Sequence, residues 1–184
     1  MHLKKIELTN FNFGSFLSFL LVTKTPAAFK LGISVISLSS YILISLLADR
    51  GKVVNFDFLK SNGFTDYAAA GIYANLQAES GLKSTNLQNS YEKKLEMDDA
   101  SYTAAVDSGA YTNFVKDSAG YGLAQWTYWS RKQALLNYAK SKGKSIGDGT
   151  MQMEFLVKEM SKALVTKLNA SKSASEAAKI FMLE

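Results

Sequence analysis

The sequence predicts a mainly α-helical domain with at most a small β-hairpin region, preceded by an N-terminal hydrophobic segment. Three observations carry this expectation. From about residue 53 onward, apolar residues recur at spacings of three and four between capping residues and glycine stops. Apolar residues make up 47% of the chain and proline occurs once, which argues for a folded core. Residues 1–52 instead hold two apolar runs, and the chain divides there into a hydrophobic segment (1–52) and a catalytic-type domain (53–184).

In the first segment, residues 11–22 form an apolar run after Lys4 and Lys5, and residues 31–48 contain no charge over 18 positions. The second run is close to the roughly 17 to 25 residues that span a hydrocarbon core, although five serines weaken it. A membrane helix over 31–48 is the preferred reading. A signal-peptide core, a membrane hairpin turning at Lys24-Thr25-Pro26, and core helices of a soluble protein are the alternatives.

The domain opens with an amphipathic turn or short helix over 53–59. Thr65 then caps a helix whose Ala68, Ile72 and Leu76 recur every four positions, with Gly81 as its stop. Glu79 lies three residues beyond Leu76 and so falls on the buried stripe of that helix. A carboxylate there is tolerated only if paired or protonated, and protonation is the state a general acid needs; the plain alternative is a last-turn residue facing water.

Residues 83–94 read as polar loop or ragged helix, 92–97 as a short helix, and 101–106 as another ended by Asp107-Ser108-Gly109. Any small hairpin falls between 83 and 127. Gly120 and Gly122 around Tyr121, then Gln125 and Trp126, describe backbone held close to something. Ser130 and Gln133 have capping-box spacing ahead of a helix stopped by Gly143. From Thr150, Leu156, Met160, Leu164 and Leu168 form one row at spacing four and predict one long helix. A final helix begins near Ser173-Glu176, and its abrupt stop at Glu184 predicts a chain cut from a longer product.

Composition removes several chemistries. With no cysteine, thiolate catalysis and cysteine-ligated metals are out, and a single histidine, His2, leaves no histidine triad or multi-histidine metal centre. No metal or cofactor is expected. The net charge of +5 is concentrated as +4 in residues 1–52, leaving +1 on the domain, so no nucleic-acid surface is expected. Chemistry must run on carboxylates, amides and hydroxyls.

An acid at a helix end followed by aromatics and amides suggests a glycan site. Tyr121, Trp126, Tyr128 and Trp129 offer stacking faces, and Asn75, Gln77 and Gln125 offer hydrogen bonds. Trp129 reads more readily as core, and Trp126 as facing substrate.

The stretches AGIYANLQAESGL (70–82) and GYGLAQWTYWSRKQAL (120–135), with NLQNSYE (86–92) in weaker support, carry a resemblance. Residues 55–184 resemble the phage tail-type lysozyme family, a branch of the lysozyme-like superfamily found in tail-associated and prophage peptidoglycan hydrolases. The resemblance implies an α+β lysozyme-like fold. It also implies Glu79 as catalytic acid and a cleft lined by the Tyr121-Gly122 and Gln125-Trp126 region. The implied partner is bacterial peptidoglycan, cut at the β-1,4 bond between N-acetylmuramic acid and N-acetylglucosamine. Asp117, just before the glycine-tyrosine loop, is the first choice for a second carboxylate over Glu92, Glu96, Asp98 and Asp99, with a turn cap as its ordinary alternative. If 31–48 spans a membrane, the domain is tethered on the cell-wall side; otherwise it is virion-borne or secreted. Muramidase, lytic transglycosylase, inactive wall-binding module and membrane-associated structural protein stand as the competing functions.

Overall fold

Thr65 opens the first long helix, its hydroxyl accepting the Ala68 N–H at 3.3 Å, and Gly81 closes it in the left-handed region at φ 61°. The computed structural model describes residues 56–183, beginning with a helical stretch over 56–61 that leads into this element, α1 (Asp66–Ser80). The helices α2 (Asn89–Leu95), α3 (Asp99–Ser108), α4 (Trp129–Lys142), α5 (Gly149–Glu159), α6 (Lys162–Ala170) and α7 (Ala174–Met182) follow. Asp98 and Ser101 form a reciprocal capping box at the start of α3, and Gly109 and Gly143 close α3 and α4 with positive φ.

Two helix boundaries differ from the sequence expectation. The row Leu156, Met160, Leu164, Leu168 belongs to two helices, because Met160 turns extended and the Ser161 hydroxyl accepts from Leu164 N–H to start α6. Helix α4 begins at Trp129 behind Tyr128, with no side-chain cap, so Ser130 lies inside the first turn.

The expected β-hairpin region is corrected: among the described residues the fold is all-α, with no strand and no sheet. Pairing between 83 and 127 is confined to two isolated bridges, Leu87 with Tyr121 and Tyr121 with Trp126. The second is closed by reciprocal backbone hydrogen bonds of 3.2 and 3.0 Å around a loop in which Gly122 and Gln125 take positive φ, so no ladder can extend.

The membrane expectation is corrected as well. No helix among the described residues is long and apolar enough to cross a membrane. The runs 11–22 and 31–48 lie outside the described residues. The membrane partner and the membrane-associated location built on them are therefore withdrawn.

Helix α1 packs chiefly on α7, with α6 alongside, and α4 packs on α5. Gly71 sets the approach of α1 to α7: a Cβ there would stand 2.6 Å from both Ala177 Cβ and Ala178 N. Asn75 ties the same pair, donating to Gly71 O at 2.9 Å and Ala178 O at 3.1 Å. Alanine at position 71 gains about 1 kcal/mol of helix propensity, but it collides with helix backbone, and overpacking of this kind costs about 1–3 kcal/mol or more. Gly71→Ala is therefore expected to be net destabilising, seen as a lower urea midpoint at unchanged m.

Asp148 caps α5, accepting from Met151 N–H at 2.9 Å. That hydrogen bond holds its carboxyl below the usual carboxylate range, with Lys144 helping and partial burial opposing. A carboxyl depressed in the fold stabilises above its unfolded value of about 4, and that contribution is lost as pH falls through the folded value. Asp148→Ala is expected to cost about 1 kcal/mol at pH 7, with the gap to wild type narrowing in unfolding curves taken below pH ~4.

Candidate active site

Helix α1 delivers Glu79 to a cleft rather than to the core. The residue four beyond Leu76 is Ser80, and it is Ser80 that is buried, its hydroxyl donating to Leu76 O at 3.0 Å and Leu123 O at 2.9 Å. Glu79 sits one position earlier, about 100° round the helix, and is exposed. The expected place on the buried stripe is corrected accordingly. Glu79 makes no hydrogen bond or ion pair with the described residues.

The cleft holds about 480 Å³. Its polar lining comes from Asn75, Glu79, Gln125, Arg131, Glu159 and Ser161, and its apolar lining from α5, α6 and α7 through residues such as Leu156, Leu164 and Phe181. A concave site with a few convergent polar groups on an apolar wall is the usual form of a ligand site.

Glu159, at the end of α5, is the second carboxylate of the cleft and is fully engaged. Its Oε1 accepts from Arg131 Nη2 at 2.6 Å and from the Trp126 indole N–H at 2.9 Å, and its Oε2 accepts from Arg131 Nε at 3.1 Å. Trp126 is itself fully buried, its ring 5.6 Å from that of Phe155. The expectation that Trp126 faces substrate and Trp129 lies in the core is thus reversed. Tyr128 and Trp129 are 63% and 58% exposed, with ring centroids 6.1 Å apart.

The loop between is held by its own amides. The Gln125 side-chain N–H donates to Asn86 O, Asn86 Oδ1 and Gly122 O at 3.0–3.2 Å, while its backbone sits at φ 45°. Gly120 and Gly122 are close-approach glycines, as their sequence context suggests: a Cβ on Gly120 would meet Gln125 Oε1 at 2.7 Å, and one on Gly122 would meet Gln152 Oε1 at 2.6 Å. Gln152 is fully buried, accepts from Leu123 N–H, and donates to Ser84 O and Ile146 O. It fastens the loop to α5.

Asp117 stands elsewhere, in a buried polar cluster outside the cleft lining. Its Oδ1 accepts from Lys132 Nζ at 2.5 Å and Ala119 N–H at 2.9 Å, and its Oδ2 accepts from the Tyr102 and Tyr111 hydroxyls at 2.6 and 3.1 Å. The Lys132 and Asp117 side chains are 0% and 2% exposed. Burial pushes the Lys132 ammonium down while Asp117 opposes that shift, and burial together with Asp117 pushes the Tyr102 phenol up. Tyr121 is fully buried beside this cluster, its hydroxyl 2.6 Å from that of Thr103.

Of the residues singled out in the sequence, Asn75, Glu79 and Gln125 meet in the cleft. Gln77 is exposed outside it, Trp126 stands behind its wall, and Tyr121, Gly122 and Asp117 support the loop from within. Arg131 and Glu159 were not foreseen. A signal for Glu159 was present, since it follows Leu156 by three residues as Glu79 follows Leu76.

A family model for the phage tail lysozyme matches residues 53–184. The chain belongs to the phage tail lysozyme family. The match shows the resemblance carried by residues 70–82 and 120–135, and it supports a lysozyme-like, glycosidase-type hydrolytic activity in general terms. Comparison with curated proteins and with solved structures returned no match. Within this phage tail lysozyme domain, no group of three or more potential ligands able to hold a metal ion occurs among the described residues.

Proposed function

We propose that the protein cleaves the glycan strand of bacterial peptidoglycan as a muramidase, with Glu79 as general acid at the β-1,4 bond between N-acetylmuramic acid and N-acetylglucosamine. The observation that carries this reading is that Glu79 is the carboxyl group of the cleft without a partner among the described residues, whereas both oxygens of Glu159 are engaged. A sugar seated on the apolar wall displaces water from around the Glu79 carboxyl, so that the group faces the glycosidic oxygen instead of solvent. Glu79 then gives its proton to the departing N-acetylglucosamine O4 as positive charge builds on the muramoyl ring. Water adds to the muramoyl C1 and releases its own proton.

A second reading shares the same first step. Because Glu159 is occupied and Asp117 is buried in its own cluster, Glu79 is the one cleft carboxyl without a partner among the described residues. That favours single-acid chemistry, in which the substrate's acetamido group assists and the muramoyl O6 closes a 1,6-anhydro ring. Asp117 is assigned a supporting role under both readings.

Incubation of the full chain with purified peptidoglycan, followed by mass analysis of soluble muropeptides, tests the proposal. Products with a reducing end are expected. Products lighter by one water would establish the transglycosylase route, and the absence of any product would sink both.

A further inference from the structure

We infer that Arg131 forms an anion-recognising subsite of the cleft that takes a carboxylate carried on the muramoyl residue of the substrate. The inference rests on reading the cleft as a glycan-cleaving site, and it deepens that reading by naming what distinguishes the preferred glycan from a neutral one.

Arg131 lines the cleft together with Glu79, and its side chain is 49% exposed. A guanidinium carries five N–H groups. Two of them, one on Nε and one on Nη2, bond Glu159, and no described residue takes the other three. The Glu159 end of the pair is fixed in turn by the buried Trp126 indole N–H at 2.9 Å. The guanidinium is therefore held side-on in one orientation, with the Nη1 edge left for a ligand, and little ordering remains when a planar acceptor arrives.

The cleft lining holds one guanidinium and two carboxyl groups, and the Glu159 carboxylate already pairs with that guanidinium, so an incoming anion is met by oriented N–H donors and not by a net positive charge. Selectivity then comes from directional donors. A glycan covering the cleft removes water from the free N–H groups, and a neutral sugar chain leaves them poorly partnered, whereas a carboxylate accepts two of them at once. A muramoyl residue carries such a group on the peptide attached to its lactyl ether, or on the lactyl group itself once that peptide is removed. A polymer of N-acetylglucosamine alone carries none.

The test compares three soluble strand preparations from peptidoglycan: strands with peptides and free carboxylates, the same strands with carboxylates converted to neutral methylamides, and strands stripped of peptide by an amidase, which keep the lactyl carboxylate. For the wild-type chain, amidation is expected to raise KM about tenfold or more, the factor of a charge-assisted hydrogen bond, with kcat little changed. Arg131→Gln is expected to show the raised KM on charged strands and no sensitivity to amidation, and Arg131→Lys to recover part of the difference. A KM on stripped strands as low as on charged peptide strands shows that the subsite takes the lactyl carboxylate once the peptide is gone; a raised KM there assigns the subsite to the peptide carboxylate. Equal losses for Arg131→Gln on charged and amidated strands, or indifference of the wild type to amidation, overturn the inference. Binding of the same strands to Glu79→Gln gives the comparison without turnover. Discrimination in binding with no cleavage by the wild type would therefore defeat the glycosidase reading and leave the subsite standing.

Discussion

Replacing Lys132 with methionine is expected to destabilise the domain by about 3–5 kcal/mol, a large share of the roughly 5–15 kcal/mol that holds a domain folded. The volume is nearly conserved, so the cost comes from charge. Asp117 has 2% of its side chain exposed, and Lys132 is the cation that compensates it. The Tyr102 and Tyr111 hydroxyls and the Ala119 N–H remain as donors, but none carries a charge. Lys132 Nζ also donates to Ala119 O at 2.7 Å and stands 4.4 Å from the Phe114 ring centroid, contacts that methionine reproduces only in part. Urea unfolding followed by circular dichroism gives the value. The double variant Lys132→Met/Asp117→Asn is expected to recover much of the loss, because removing both charges is far less costly than orphaning one. A single variant within 1 kcal/mol of wild type would show that the pair is not what fixes the loop.

Glu79→Gln is expected to lower muropeptide release by at least about 10²-fold, the range lost with a general acid, while leaving stability within about 0.5 kcal/mol. The two halves of that statement have one structural cause. Glu79 is exposed, has no partner among the described residues and lines the cleft, so the fold does not depend on its charge whereas the proposed proton transfer does. Glutamine keeps the shape and removes the transferable proton. Thermal midpoint and release rate measured on the same preparation separate a catalytic loss from an unfolding loss.

The parts of this structure that local chemistry determines were legible in the sequence. Thr65, the Ala68-Ile72-Leu76 spacing and Gly81 fix α1 without help from elsewhere in the chain, and Gly143 does the same for the end of α4. Close approach at Gly120 and Gly122 was legible too, although what approaches, Gln125 and Gln152, was not. Periodicity misled where two elements share one phase: Leu156 to Leu168 reads as one helix, and only the Ser161 hydroxyl shows the break. Which tryptophan is buried depended on Glu159, 33 residues away from Trp126, and the place of Asp117 depended on Lys132, 15 residues along. Burial and pairing of that kind are decided by tertiary contacts that a single sequence does not display. For the same reason the cleft showed only its α1 wall and Gln125; the spacing of Glu159 from Leu156 hints at a second carboxyl, but its pairing with Arg131 is not displayed in the sequence.

The most direct measurement is the initial rate of muropeptide release per folded molecule for Glu79→Gln and Asp117→Asn beside wild type, at a temperature where circular dichroism shows each folded. Glu79→Gln is expected at background and Asp117→Asn near the wild-type rate despite a lowered unfolding midpoint. The reverse pattern, with release surviving in folded Glu79→Gln and lost in folded Asp117→Asn, would contradict the assignment of the cleft carboxyl as the acid.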